Sequence, residues 1–185
     1  SEAEEALKRH RKLNKEAEKR AKDATDDSKR LLDEIRKRAK EASEDSKRLL
    51  DEARRLREAG ARKEEVEKII DEAAKKSKKA AEEARKAADD AARKSRKAAE
   101  EAKKLADDSA RDAERAAREA KDREDKERVR RILEEAKKTA RELRERIKKL
   151  LKENEDAAKK LRDEIDEAAK KNKKAADEAR EEARR

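Results

Sequence analysis

The chain has 185 residues, of which 61% are charged, with a net charge of +10 and no proline, cysteine, methionine or aromatic residue. The absence of cysteine excludes disulfides and thiol chemistry, and the single histidine leaves no Cys/His set for structural zinc. The 38 alanines, with abundant Glu, Lys and Arg, favour long helices over a disordered chain, although only 21 residues are Leu, Ile or Val.

The apolar residues recur with a helical period in three successive segments, predicted as helix 1 at about 2–59, helix 2 at about 62–121 and helix 3 at about 125–184. In helix 1 the aligned face includes Ala17, Ala21, Leu31, Ile35 and Leu49. The corresponding faces of the other helices run from Val66 to Ala120 and from Val129 to Ala179.

The breaks between helices follow from the phase of this apolar face. From Ala53 to Val66, and again from Ala120 to Val129, a continuous helix would rotate the face by roughly 180–220°. The chain must therefore turn at both places. Gly60 is predicted to end helix 1 as a C′ glycine, and Asp122 or Asp125 to cap helix 3.

Short connections make consecutive helices antiparallel neighbours. We therefore predict an all-α fold, an up-down-up antiparallel three-helix bundle of helices about 60 residues long, which forms one elongated domain over residues 1–185. The alternative is a charged single α-helix without tertiary structure, which the two phase changes and Gly60 disfavour.

An 18-residue repeat runs through the chain. The octapeptide DSKRLLDE occurs at residues 27–34 and again at 45–52. Eighteen residues make five helical turns, so each repeat returns to the same angle on a straight helix, whereas a heptad repeat would impose a left-handed supercoil. The repeat predicts nearly untwisted helices.

Polar residues recur at the centre of the apolar face with this same spacing. The turn near residue 61 pairs residue i of helix 1 with about residue 122−i of helix 2. The turn near residue 124 pairs residue j of helix 2 with about residue 248−j of helix 3. This register predicts two polar layers in the core, formed by Ser28, Ser95 and Asn154 and by Ser46, Ser77 and Asn172. Slipped registers would leave these groups unpaired, so the layers favour one alignment.

His10 lies eighteen residues before Ser28 and has the same phase. We predict a third layer in which Ser109 or Thr139 is its hydrogen-bond partner. A metal ligand or pH trigger is the alternative, and no carboxylate at core phase supports it. An exposed position near a frayed end is the remaining interpretation. The register also sets large residues against small ones, such as Ala17 and Ala21 against Leu143 and Ile147.

The turn EAGARKEE at 58–65 and the stretch KKSKKAAEEARKAADDAARKSRKAAEE at 75–101 resemble de novo designed helical bundles with buried hydrogen-bond networks. The second stretch is similar to the cage helices of designed latching switches, which also place Ser every eighteen residues. The resemblance implies a designed structural scaffold, a rigid rod without natural biochemical activity. It also implies no natural partner and no natural cellular location.

The distribution of charged and apolar residues disfavours several classes of function. Basic and acidic side chains are evenly mixed, 19 against 16 in both 1–59 and 61–121, which disfavours nucleic-acid binding. No apolar run spans a membrane, and we expect no signal peptide and a soluble product of cytoplasmic recombinant expression. We expect no enzyme, no catalytic, cofactor-binding or metal site, and no cofactor.

A monomer is the favoured state. The alternative function is a designed interaction module, as a homo-oligomer, a heterodimer half or a switch cage. Its pairing surface would be one flank of helix 2, formed by Ala74, Ala81, Ala92, Ala99, Ala110 and Ala117. In the simpler interpretation this flank lines the seam between helices of the same chain.

Overall fold

The computed structural model describes residues 2–120 and 125–185, which form three long α-helices and no strand. Helix α1 spans Glu2–Glu58, α2 spans Lys63–Glu119 and α3 spans Lys126–Arg184. Contacts such as His10 with Ser109 on α2 join distant parts of the sequence in an antiparallel sense. The predicted all-α, up-down-up three-helix bundle is confirmed.

The α1–α2 turn is a Schellman motif built around Gly60. The N–H of Gly60 donates to the carbonyl of Arg57 at 3.1 Å, and the N–H of Ala61 donates to that of Leu56 at 3.0 Å. Gly60 has a φ of 85°, which is strained for residues with a Cβ atom. Leu56 and Ala61 pack against one apolar cluster, which completes the motif.

Helix α3 begins with an aspartate cap. Asp125 Oδ1 accepts a hydrogen bond from the N–H of Glu127 at 3.2 Å, and the Asp125 carbonyl accepts from the N–H of Val129 at 3.1 Å. Asp125 is therefore the N-cap of α3. The other candidate, Asp122, lies outside the described residues, as does residue 121 at the predicted end of helix 2.

Tertiary contacts divide the chain into two compact units. Unit 1 comprises Ser1–Lys29 and Ala92–Asp156, and unit 2 comprises Arg30–Ala91 and Ala157–Arg185. Each unit contains a segment of all three helices, so each is a three-helix bundle with its own core. A single elongated domain over residues 1–185 stays a prediction.

The core of unit 1 has two apolar clusters, each with residues from all three helices. The first contains Leu7 of α1, Ala113 of α2 and Ile132 of α3. The second sets small residues against large ones: Ala17 and Ala21 lie with Leu143 and Ile147. In sequence, His10, Ser109 and Thr139 all fall between these two clusters, so a polar level separates two apolar ones.

In unit 2 the cluster nearest Gly60 contains Ala53, Val66, Ile70 and Ala176. Farther from that turn, Ala42, Ala80 and Ala168 line one hollow, and Leu161 and Ile165 also line it. All three alanines are only half-buried. The core is therefore incompletely filled at this level.

Leu31 also departs from the sequence prediction. It was placed on the core face of helix 1, but it is 39% exposed, whereas its neighbour Leu32 is 3% exposed. At 100° per residue, Leu31 lies about 60° to one side of Ser28 and Leu32 about 40° to the other. The buried arc of α1 is displaced toward Leu32, and Leu31 falls beyond its edge.

Ion pairs show the alignment of α1 with α3 inside each unit. Arg11 and Glu135, which are 124 residues apart, pair in unit 1, and Arg36 and Glu164, 128 apart, pair in unit 2. The predicted pairings, 122−i between α1 and α2 and 248−j between α2 and α3, together imply an offset of about 126 residues between α1 and α3, and both ion pairs lie within one helical turn of it. Both ion pairs are exposed, so each stabilises the fold by no more than about 1 kcal/mol.

Candidate functional site

His10 joins all three helices of unit 1 through its imidazole. Its Nδ1 lies 2.8 Å from Ser109 Oγ on α2, and its Nε2 lies 2.8 Å from Thr139 Oγ1 on α3. The His10 side chain is fully buried, Ser109 is buried and Thr139 is half-buried. The structure therefore brings together all three residues of the layer predicted around His10, with both candidate partners bound to the ring at once.

The hydroxyl protons limit how this triad can be protonated. Ser109 Oγ also donates to the Ala106 carbonyl at 2.9 Å, and Thr139 Oγ1 donates to the Glu135 carbonyl at 2.8 Å. Each hydroxyl has one proton. If both protons go to carbonyls, both ring nitrogens must donate, which requires the imidazolium form. With a neutral ring, one hydroxyl must turn its proton toward the bare nitrogen and leave its carbonyl.

Burial and the neighbouring charges decide between these two states. Desolvation lowers the pKa of His10 below 6.5. The carboxylates of Glu135 and Glu114 act in the opposite direction, and the Arg11 guanidinium lowers the pKa further. Arg11 also binds Glu135 with two hydrogen bonds of 2.8 and 2.7 Å. The net shift favours the neutral imidazole near pH 7.

This shift predicts that stability falls as the pH is lowered below about 6.5, the pKa of histidine in an unfolded chain. The folded state binds the proton less readily than the unfolded state, so stability rises with pH between the folded pKa and 6.5. Urea unfolding from pH 5 to pH 8 measures the slope. The control is His10→Gln, which does not titrate there. Equal slopes for the two proteins would contradict a buried, neutral His10.

Asn14 belongs beside this triad and was missed by the sequence analysis. Its Nδ2 donates to the Thr139 carbonyl at 3.4 Å, while its buried Oδ1 has no hydrogen-bond partner among the described residues. Asn14 follows His10 by four residues, which places it on the same face of α1 one turn later. The four-residue spacing from His10 is the sequence signal for Asn14, which lies outside the 18-residue series.

The predicted layer of Ser28, Ser95 and Asn154 is buried, but no hydrogen bond joins its three residues. Ser28, Ser95 and Asn154 are each less than 5% exposed. Within the described part of the chain, Ser28 Oγ and both amide atoms of Asn154 lack hydrogen-bond partners. An unpaired buried polar group costs about 1–3 kcal/mol, so this layer opposes folding in the observed side-chain arrangement.

The residues of the predicted layer of Ser46, Ser77 and Asn172 make no hydrogen bonds with one another, and two of them bond to other groups. Ser46 Oγ donates weakly to the Ala73 carbonyl at 3.5 Å, and Asn172 Nδ2 donates to Ser43 Oγ at 3.1 Å. Ser77 is buried and makes no hydrogen bond to any described residue. Ser43 was not among the predicted residues, although it lies three positions before Ser46 on the same face of α1.

Thr25 is a further buried polar residue that the sequence analysis did not select. Its Oγ1 donates to the Ala21 carbonyl at 2.9 Å, one turn earlier in α1. This bond satisfies the hydroxyl within its own helix, so Thr25 needs no partner on α2 or α3. Thr25 is therefore buried without belonging to a layer that joins helices.

The described residues contain neither a metal-binding cluster nor a membrane-spanning helix. Across residues 2–120 and 125–185, no group of three or more His, Cys, Asp or Glu side chains is arranged to hold a metal ion. Over the same residues, no helix has the length and apolar character needed to cross a membrane. The buried polar residues are thus the distinctive chemical feature that remains.

The chain is similar in structure to a solved protein described as a computationally designed three-helix bundle. The TM-score is 0.65 at 23% sequence identity, and the match covers 98% of this chain and 88% of the other. No protein-family model and no curated protein matches the sequence. The predicted resemblance to designed helical bundles is thus confirmed at the level of the fold.

Proposed function

We propose that the protein is a designed structural scaffold without natural biochemical activity, whose helix register is set by buried polar layers. The observation that carries the proposal is the triad of His10, Ser109 and Thr139. One imidazole binds a hydroxyl on each of the other two helices at 2.8 Å. A slip of one turn would move either partner by about 5.4 Å and leave buried polar groups unpaired.

A weaker form of this role is proposed for two further sets of buried residues, first Ser28, Ser95 and Asn154, and second Ser46, Ser77 and Asn172. Their burial supports a role in alignment, because buried polar groups disfavour any register that places them against apolar residues. The unpaired Ser28 hydroxyl and Asn154 amide make the contribution of the first set to stability unfavourable, whereas Ser46 and Asn172 of the second set find partners outside it. Their proposed role is therefore specificity of alignment at a cost in stability.

The proposed absence of enzymatic activity rests on the arrangement of polar groups. His10 is enclosed by Ser109 and Thr139 inside unit 1, and both hydroxyls also contact backbone carbonyls. A catalytic base needs to reach a substrate proton, and a fully buried ring between two helices does not. The triad therefore supports a structural role for the histidine.

The alternative function, an interaction module, needs the alanine flank of α2 to be accessible. Ala81, Ala99, Ala110 and Ala117 are buried, while Ala74 and Ala92 are half-buried. Most of this flank is therefore covered by the other helices within units 1 and 2. The burial supports a monomer, because little of the proposed pairing surface remains for a second chain.

We expect light scattering after size-exclusion chromatography to give a mass near 21.4 kDa at protein concentrations a hundredfold apart. A scaffold that buries its alanine flank internally has no reason to associate as the concentration rises. Ala110→Glu, which would place a charge in the buried flank, serves as a positive control for loss of the fold. A mass that doubles at the higher concentration would instead support the interaction module.

A further inference from the structure

Unit 2 contains a hollow where alanines from all three helices meet. Ala42 of α1, Ala80 of α2 and Ala168 of α3 line it, together with Ala39, Ala81 and Ala169. Eighteen residues earlier in α3, the positions of Ala168 and Ala169 are occupied by Leu150 and Leu151. The hollow therefore exists because one repeat of α3 has alanines where the preceding repeat has leucines.

The size and walls of the hollow suit a small apolar molecule. Its volume is about 260 Å³, and Leu161 and Ile165 line it on one side of the alanine level. On the other side Asn172 donates to Ser43 at 3.1 Å, and at the rim Arg36 binds Glu164 at 3.0 Å. An apolar cavity of about 150 Å³ suffices for benzene, so this one has room for a substituted ring.

Ser77 adds a polar group that points to a more specific ligand. It lines the hollow, is 8% exposed and makes no hydrogen bond to any described residue. The other serine there, Ser43, already accepts from Asn172. A hydroxyl can both donate and accept, so Ser77 could hydrogen-bond a hydroxyl on the ligand. Arg36 binds Glu164, and Lys40 is the other charged residue in the lining, while most of the wall is alanine, leucine and isoleucine, which favours an uncharged ligand.

Ser77 and Ala81 also line a second hollow of about 520 Å³, which lies between α2 and α3 of unit 2. Lys170, Lys173 and Arg180 line this larger hollow and make it more polar. An apolar ring is better matched by the alanine hollow. The residues unique to each hollow, such as Ala42 for the first and Lys173 for the second, allow the two to be distinguished.

We propose that the alanine hollow of unit 2 binds a small uncharged phenol, with its ring among Ala42, Ala80 and Ala168 and its hydroxyl on Ser77. This inference does not depend on the scaffold role. The ring replaces the leucine that this level lacks. Its hydroxyl supplies the hydrogen bond that Ser77 does not find within the chain.

The test is a titration of the ¹⁵N-labelled protein with 4-ethylphenol, followed by amide shifts in NMR spectra. The comparison ligand is 4-ethyltoluene, in which a methyl group replaces the hydroxyl. We expect saturable shifts centred on Ala42, Ala80 and Ala168, with the phenol binding roughly threefold to tenfold tighter. No saturable shift with 4-ethylphenol, or shifts centred on Lys173, would overturn the proposal.

Three variants and one control distinguish the contribution of the cavity to binding from that of the hydrogen bond. Ser77→Ala should remove the preference for the phenol and keep binding of 4-ethyltoluene. Ala168→Leu should fill the hollow and abolish binding of both ligands, and Ala80→Leu repeats this test from α2 should that variant fail to fold. Ala87→Leu, outside the hollow, should bind like the parent. Unchanged binding by a folded Ala168→Leu protein, or a preserved phenol preference in Ser77→Ala, counts against the site.

Discussion

Replacing Asn154 with leucine is expected to raise the free energy of unfolding by about 2–4 kcal/mol. Asn154 is completely buried, and both polar atoms of its amide lack partners among the described residues. Leucine has the same branched shape and no polar atoms, so the substitution removes the cost of two unpaired groups and adds apolar burial. Urea unfolding at pH 8 measures the change.

Asn172→Leu is the matched control for this prediction. Asn172 also occupies a predicted polar layer, but its Nδ2 donates to Ser43 Oγ at 3.1 Å. Its substitution removes an existing hydrogen bond, so we expect less than half the gain seen at Asn154. If Asn154→Leu left the stability unchanged or lowered it, the Asn154 amide would be hydrogen-bonded in solution, and the observed arrangement of this layer would be incorrect.

Truncating Leu143 to alanine is expected to lower the free energy of unfolding by about 3–4 kcal/mol. Leu143 is fully buried, and its cluster in unit 1 is filled mainly by alanines such as Ala17 and Ala102. Alanine side chains cannot extend into the space that a lost leucine leaves, so the cavity would persist. The large apolar residues are few, which makes each one costly to lose.

Leu31→Ala provides the comparison, because Leu31 is the leucine that the sequence pattern placed in the core and the structure leaves 39% exposed. We expect its effect to be within about 0.5 kcal/mol. Urea unfolding of both variants under identical conditions gives the two values. Comparable losses for Leu31→Ala and Leu143→Ala would show that the buried arc of α1 is centred as the sequence pattern suggested.

The fold follows from the sequence because its signals are long and consistent. Each helix carries many turns of apolar periodicity, so a change of phase at Gly60 or near residue 125 is readily detected. The Schellman motif at Gly60 and the cap at Asp125 involve only neighbouring residues. Such local backbone geometry is specified by the few residues that form it.

The sequence predicts where the buried polar residues lie better than it predicts which hydrogen bonds they form. The register placed His10 near Ser109 and Thr139, and their hydrogen bonds span all three helices of unit 1. For Asn154 and Asn172, the pattern indicates burial but not the side-chain rotamer that selects a partner. Asn172 binds Ser43 rather than a serine of its predicted layer, because small differences in rotation about the helix axis decide which hydroxyl is within reach.

The alanine hollow of unit 2 could not be inferred from periodicity, because alanine and leucine have the same phase at equivalent positions. A helical pattern records which residues face inward and does not record whether their volumes fill the space between helices. Detecting the hollow requires Ala42, Ala80 and Ala168 to be compared at one level of the folded unit. Leu31 illustrates the same limit, because a pattern locates a face more securely than its edges.

The central claim is that His10 aligns α1 with both other helices of unit 1, and NMR of its ring tests this most directly. His10 is the only histidine, so its ring signals are unambiguous. We expect a slowly exchanging ring N–H proton and nuclear Overhauser contacts from the ring to Ser109 and Thr139. A freely exchanging ring without these contacts would contradict the alignment.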